Sequence, residues 1–208
     1  MTRIRRLALA VTAGALICAL AACATPTPSD SSPAGSGAFA SPELPDGDVI
    51  GQGTVIDADG RVRLCLGPIA ESYPPQCAGL PVTGWTWEDV EGYETAGDTR
   101  WGAYAVQGTY DGESFTVTQP PVILALYDPM TSPDPTGAEP GRGIATELQA
   151  IQDELPGLLG SDLLSASVAD SRLWIDVVWD DGTRQAVADA VYGEEVIVVR
   201  SALRPVQG

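Results

Sequence analysis

Apolar positions change their spacing twice along this chain, and each change marks a different kind of element. From Val49 to Tyr127 they alternate in short runs broken by glycine and aspartate, the pattern of strands joined by turns. Val49–Ile56 reads as a strand interrupted by Gly51 and Gly53, and strand glycines favour a bulge or a bent barrel strand. Asp57-Ala58-Asp59-Gly60 reads as a turn, and Arg61–Cys65 returns with alternating polar and apolar residues. Pro81–Trp87 supplies a third strand, and Glu88–Thr99 an acidic exposed loop. The strongest hairpin signal joins Arg100–Tyr110 to Ser114–Gln119 through Asp111-Gly112. Val122–Tyr127 adds a last strand. Five or six short strands in so few residues predict a small β-barrel of the OB type over 46–128.

After a proline- and glycine-rich stretch over 129–143, read as a linker, the spacing becomes helical. Ile144, Leu148, Ile151 and Leu155 share one helix face, and Pro156-Gly157 is expected to stop the helix. Leu163–Ala169 and Arg172–Asp180 predict a hairpin around Asp170-Ser171. A second helix over Thr183–Tyr192, with an apolar stripe of Ala186, Val187, Ala190 and Val191, ends at Gly193. Val196–Val199 is apolar enough to suggest a buried central strand. The predicted fold class is mainly β plus α+β: a disulfide-stapled barrel domain, then an α-β-β-α-β domain over 144–208 that leans on it.

The start of the chain belongs to neither pattern. Arg3, Arg5 and Arg6 precede an apolar run from Leu7 to Leu20, too short for a membrane span and of signal-peptide length. Leu20-Ala21-Ala22-Cys23 then resembles the lipobox of bacterial lipoproteins, which implies a signal peptide over 1–22 and a lipid on Cys23. Residues 24–45 are rich in Ser, Thr, Pro, Ala and Gly and read as a disordered tether. The expected location is the extracytoplasmic face of the cell membrane, held by lipid. Arg5-Arg6 leaves the choice between the general and the twin-arginine export routes open.

Export simplifies the cysteines. Of the four, Cys18 leaves with the leader and Cys23 goes to lipid, so Cys65 and Cys77 remain as a pair in an oxidising compartment. A disulfide between them would fasten a loop holding Pro74 and Pro75 to the strand it leaves.

Charge and absence narrow the chemistry further. The formal net charge is −17, with no His, and all eleven basic residues are Arg. Such a chain disfavours nucleic acid as a partner, because phosphate backbones need a cationic surface. Without His or Lys, and with its thiols paired, it has no His triad, Ser–Lys dyad or Schiff-base lysine. No cofactor and no metal site is expected. Asp57-Ala58-Asp59-Gly60 fails as a calcium loop, since Val55 and Leu66 would occupy ligand positions.

What remains is a binding reading and a carboxylate reading. Tyr73, Gln76, Trp87 and Glu88 fall in or near the cysteine loop and are the candidate binding residues, for a sugar or a peptide. The crowded carboxylates Glu88, Asp89, Glu91, Glu94 and Asp98 allow the alternative of a glycan hydrolase working through two acids. A structural spacer of the envelope is the third reading. The leading one is a non-enzymatic module whose partner is an envelope protein or glycan.

Leu64-Cys65-Leu66-Gly67, Ser72-Tyr73-Pro74-Pro75-Gln76-Cys77 and Pro81-Val82-Thr83-Gly84-Trp85-Thr86-Trp87 carry a further likeness, continued by Thr99–Gly112. Together they resemble a family of uncharacterised actinobacterial exported proteins and lipoproteins. The resemblance implies the exported compartment and the disulfide, and it assigns no catalytic residue.

Overall fold

A computed structural model describes residues 39–88, 90–131 and 134–206. The expected leader, Cys23 and the expected tether as far as residue 38 lie outside these, as do Asp89, Ser132, Pro133 and the last two residues.

The protein is mostly β, built on a closed five-stranded barrel. Its strands are β1 (Val49–Ala58), β2 (Arg61–Cys65), β3 (Leu80–Thr83), β5 (Thr99–Tyr110) and β6 (Phe115–Val117), with β4 (Glu94–Ala96) as a short hairpin partner of β5. The ring runs β1-β2-β3-β6-β5 and returns to β1, antiparallel throughout except that β3 and β6 are parallel. β7 (Val122–Ile123) adds to β5 beside the ring.

Local chemistry explains the tight turns. Asp59 and Gly60 both take positive φ, which is the two-residue connection whose twist suits a hairpin. β1 and β5 must also bend to close the ring. At Gly53 and Gly108 an added Cβ would overlap the Cys65 and Thr116 carbonyl oxygens, so only glycine lets these strands approach. Inward residues Val55, Leu64, Leu80, Tyr104, Val106 and Phe115 fill the barrel core.

Several elements end elsewhere than the pattern predicts. The third strand stops at Thr83, because Trp85 and Trp87 fold over the barrel instead of extending it. β7 stops at Ile123 and gives way to a 3-10 turn over Leu124–Leu126. Within the acidic loop, β4 pairs with β5 across Gly97-Asp98.

The second half has α1 (Ala145–Leu159), β8 (Leu163–Ala169), β9 (Arg172–Val177), α2 (Thr183–Tyr192) and β10 (Ile197–Ser201). α1 runs past Pro156 to Leu159 because the last turn buries Leu159, and Gly160 closes it. Leu173, Ile175 and Val177 present one face of β9 to a core shared by both helices. The sheet order is β10-β9-β8, so β9 is central and β10 is an edge. That corrects the expectation for Val196–Val199. The β10 edge is covered by a side chain: Gln185 of α2 accepts from Val199 N–H at 2.8 Å and donates to the Ile197 carbonyl at 3.0 Å. Its amide stands where the next strand's peptide would be. The buried face of α2 accordingly carries Arg184 and Ala188, while Ala186 and Ala190 are exposed. Gln185→Leu is expected to cost about 1–2 kcal/mol and to open the edge to strand pairing. Urea unfolding and sedimentation would read both effects.

The described residues form one compact unit. Val178, Trp179 and Leu203 join the barrel core, and β11 (Arg204–Pro205) pairs with the start of β1. Described residues of the stretch over 129–143 are tied down: Gln52 donates to the Asp128 carbonyl and accepts from Met130 N–H, and Arg172 donates to the Glu139 carbonyl. Gly141 and Gly143 bond to the Asp170 and Ser171 carbonyls. The described end of the tether is docked too. Phe39 packs near Tyr192, and the Glu43 carbonyl accepts from the Trp179 indole at 2.8 Å. Burying aromatic surface and closing this bond hold a segment whose composition alone suggests disorder.

Tyr110 lies at the seam. Burial pushes its phenol up to about 12 from the ordinary 10.0, and the Asp162 carboxylate adds to the rise. Burial raises Tyr104 and Tyr192 as well. A phenol whose pKa is higher in the folded state keeps its stabilising effect below pH 10 and loses it between 10 and 12. Alkaline unfolding is therefore expected to coincide with late tyrosinate absorbance from these three rings.

Candidate functional site

The outer wall of the barrel carries apolar side chains of its own. Ile56 of β1, Cys65 of β2 and Trp101 of β5 alternate with inward neighbours and form a small cluster on the outside. Outward aromatic surface on a barrel needs cover, and the cysteine loop supplies it. Cys65 and Cys77 are bridged, with Cα atoms 6.0 Å apart. Within the loop, Ala70 N–H donates to the Gln76 carbonyl at 2.9 Å, and the Ser72 hydroxyl donates to the Pro74 carbonyl. The Tyr73–Pro74 peptide is cis.

The bridge and the two loop hydrogen bonds hold Tyr73 over Trp101. The rings meet edge to face at 5.3 Å, yet Tyr73 remains 74% exposed. Beneath it runs an open groove of about 460 Å³, floored by Thr54, Trp101 and Ala103 and rimmed by Ile69, Glu71 and Glu94. An exposed ring edge above an apolar floor can hold the flat face of a sugar or an apolar side chain. The Glu71 and Glu94 carboxylates can accept hydrogen bonds from it.

The four candidate residues separate. Tyr73 is in the groove. Gln76 is exposed on the far side of Pro75, in a second recess. Trp87 belongs to an aromatic cluster with Trp85, Tyr93 and Tyr104 that packs on the barrel core, and its indole donates to Asp57 at 2.8 Å. Glu88 is exposed beside it. Trp101 is the site residue that sequence reasoning left out of the candidate set. Its odd-numbered position opposite Ile56 was the available signal, but both faces of β5 are apolar.

The carboxylates are dispersed. Among Glu88, Glu91, Glu94 and Asp98, Glu94 alone lines the groove, and Asp89 falls outside the described residues. A larger recess of about 710 Å³ lies where residues 43–48 meet 179–181 and 199–205. Three of its acids, Asp48, Asp180 and Asp181, are engaged internally. Hydrogen bonds from Thr118 and then Gln107 hold Asp48 below the ordinary carboxylate value, and bonds from Thr183 do the same for Asp181. Asp180 accepts from Arg184 N–H. That recess is the joint between these segments, crossed by the Trp179 indole bond to the Glu43 carbonyl and the Glu43 N–H bond to Asp181.

No known protein family, curated protein or solved structure matches the chain.

Proposed function

We propose that this protein is an exported, lipid-anchored binding module of the cell envelope that holds its ligand in the Tyr73–Trp101 groove. The observation that carries this is the exposed tyrosine fixed edge-on over an outward tryptophan, on a loop stapled at both ends. A large aromatic left in water while its loop is held rigid is preorganised for a partner, with little ordering left to lose on binding. The leader and Cys23 support the membrane anchor, and the sequence resemblance supports the exported compartment. The strand order, with its single parallel closure between β3 and β6, supports an OB-type reading of the barrel. Barrels of that type bind oligosaccharides and oligonucleotides on an outer wall. The acidity of this chain favours the former. The groove offers hydroxyl and carboxylate acceptors to a neutral glycan or to an envelope protein's side chains.

A photocrosslinking residue at position 73 in the native envelope is expected to capture a discrete partner, and one at 191, on exposed α2, is not. Tyr73→Ala should abolish retention of that partner with under about 1 kcal/mol lost in stability, since the ring is mostly in water. Equal capture from both positions would remove the groove from consideration. Mass analysis of the amino terminus tests the anchor separately, with an acylated Cys23 as the expected first residue.

A further inference from the structure

Pro75 has the aromatic groove on one side and a second recess, of about 320 Å³, on the other. Ile56 and Ala58 floor this second recess, and Arg61, Arg63 and Gln76 rim it. Among the described residues that line it, the two arginines alone are charged. They stand two apart on β2 and so share its outward face.

Their surroundings are unusual for this chain. Acids outnumber arginines 28 to 11, and Arg142, Arg184 and Arg200 each hold a carboxylate at 2.5–2.7 Å. Arg63 has no ion pair among the described residues. It donates once, to the Gly79 carbonyl at 3.0 Å, which anchors the guanidinium and leaves most of its five donors unused. Arg61 reaches Asp59 only at 3.9 Å, beyond hydrogen-bond range, with both side chains well exposed.

We propose that Arg61, Arg63 and Gln76 form a receptor for a single oxyanion, a carboxylate or phosphate group, carried on a small or otherwise neutral molecule. The guanidinium fork matches such a group, and the Gln76 amide is a further donor at the same rim. The restriction to one group follows from the net charge of −17, which repels a polyanion as a whole while two arginines attract a single acid locally. Because Pro75 lines both recesses, one molecule can rest a ring against Tyr73 and place its acid on the arginines. That link rests on the groove reading; the oxyanion site does not.

The test titrates the whole protein with inorganic phosphate and, separately, with acetate, at ionic strength held constant with chloride. The arginine Nε–Hε NMR signals are followed. The expected result is a saturable shift confined to Arg61 and Arg63, and in Arg61→Gln or Arg63→Gln alone the shift at the remaining arginine is weakened about tenfold or more. Tyr73→Ala should leave it unchanged, so loss of the groove reading and loss of this one are told apart. A response to phosphate alone or to acetate alone identifies the source of the oxyanion. No saturable shift in the wild-type protein, an equal shift at Arg142, or tighter binding of long-chain polyphosphate would overturn the proposal. The wild-type titration decides it even where a variant folds poorly.

Discussion

Asp162→Ala is expected to destabilise the protein by about 3 kcal/mol, because it strands a buried cation. Arg184 is 3% exposed, and its guanidinium meets the Asp162 carboxylate at 2.5 Å. A second donor goes to the Trp179 carbonyl. Asp162 sits in the short turn between α1 and β8, Arg184 on α2, and Trp179 in the barrel core, so one ion pair ties three parts of the chain. Desolvating a guanidinium costs several kcal/mol, and the carboxylate offsets it. Removing the acid leaves the cost without the offset. Asp162→Leu with Arg184→Met should recover most of the loss, since a well-packed apolar pair of similar volume needs no compensation. Urea unfolding of Asp162→Leu, of Arg184→Met and of the double variant measures the coupling, beside Asp162→Ala. A double variant no more stable than Asp162→Ala would mean that packing, and not charge, governs the seam.

Replacing Cys65 and Cys77 by serine should cost a comparable amount, about 3 kcal/mol, by a different route. A bridge across a sequence separation of 12 removes conformations from the unfolded chain, and the chain-entropy relation gives that magnitude. The folded barrel keeps its ladder, so most of the change lies in the unfolded ensemble. The groove is affected as well. Tyr73 is held over Trp101 by a loop whose far end is tied at Cys77, and an untied loop gives up that preorganisation. Thiol labelling of the unreduced, denatured protein should find no reactive pair at these positions, and two labelled thiols there would refute the bridge.

Turns and alternation were legible in the sequence because their causes are local. Asp59-Gly60 and Asp170-Ser171 adopt the positive φ that tight hairpins need, and the strands on either side alternate as written. What could not be read depends on partners far along the chain. Nothing near Val82 announces a parallel neighbour at Phe115, and nothing near Val49 announces Pro205. Gln52 and Gln185 look like surface residues in the sequence, yet each spans two backbone groups of a distant segment. Tyr73 and Trp87 looked equivalent, as aromatics flanking one loop. A loop position put one in water, and the barrel core claimed the other. Composition excluded whole classes of catalysis more securely than it chose a ligand, because an absent imidazole is a fact of the sequence and a groove is a fact of packing.

The pairing of β11 with β1 also sets an order in time. Val49 and Ile50 find one partner in β5 and the other in Arg204 and Pro205, almost at the end of the chain. A chain synthesised amino terminus first must therefore present the start of its first strand, half unpaired, until Arg204 and Pro205 have been added. Closing so long a loop is slow, and an open strand edge is a template for the wrong partner while it waits. Completion of this fold thus waits on the synthesis of Arg204 and Pro205, and how soon they follow sets how long that edge stays open.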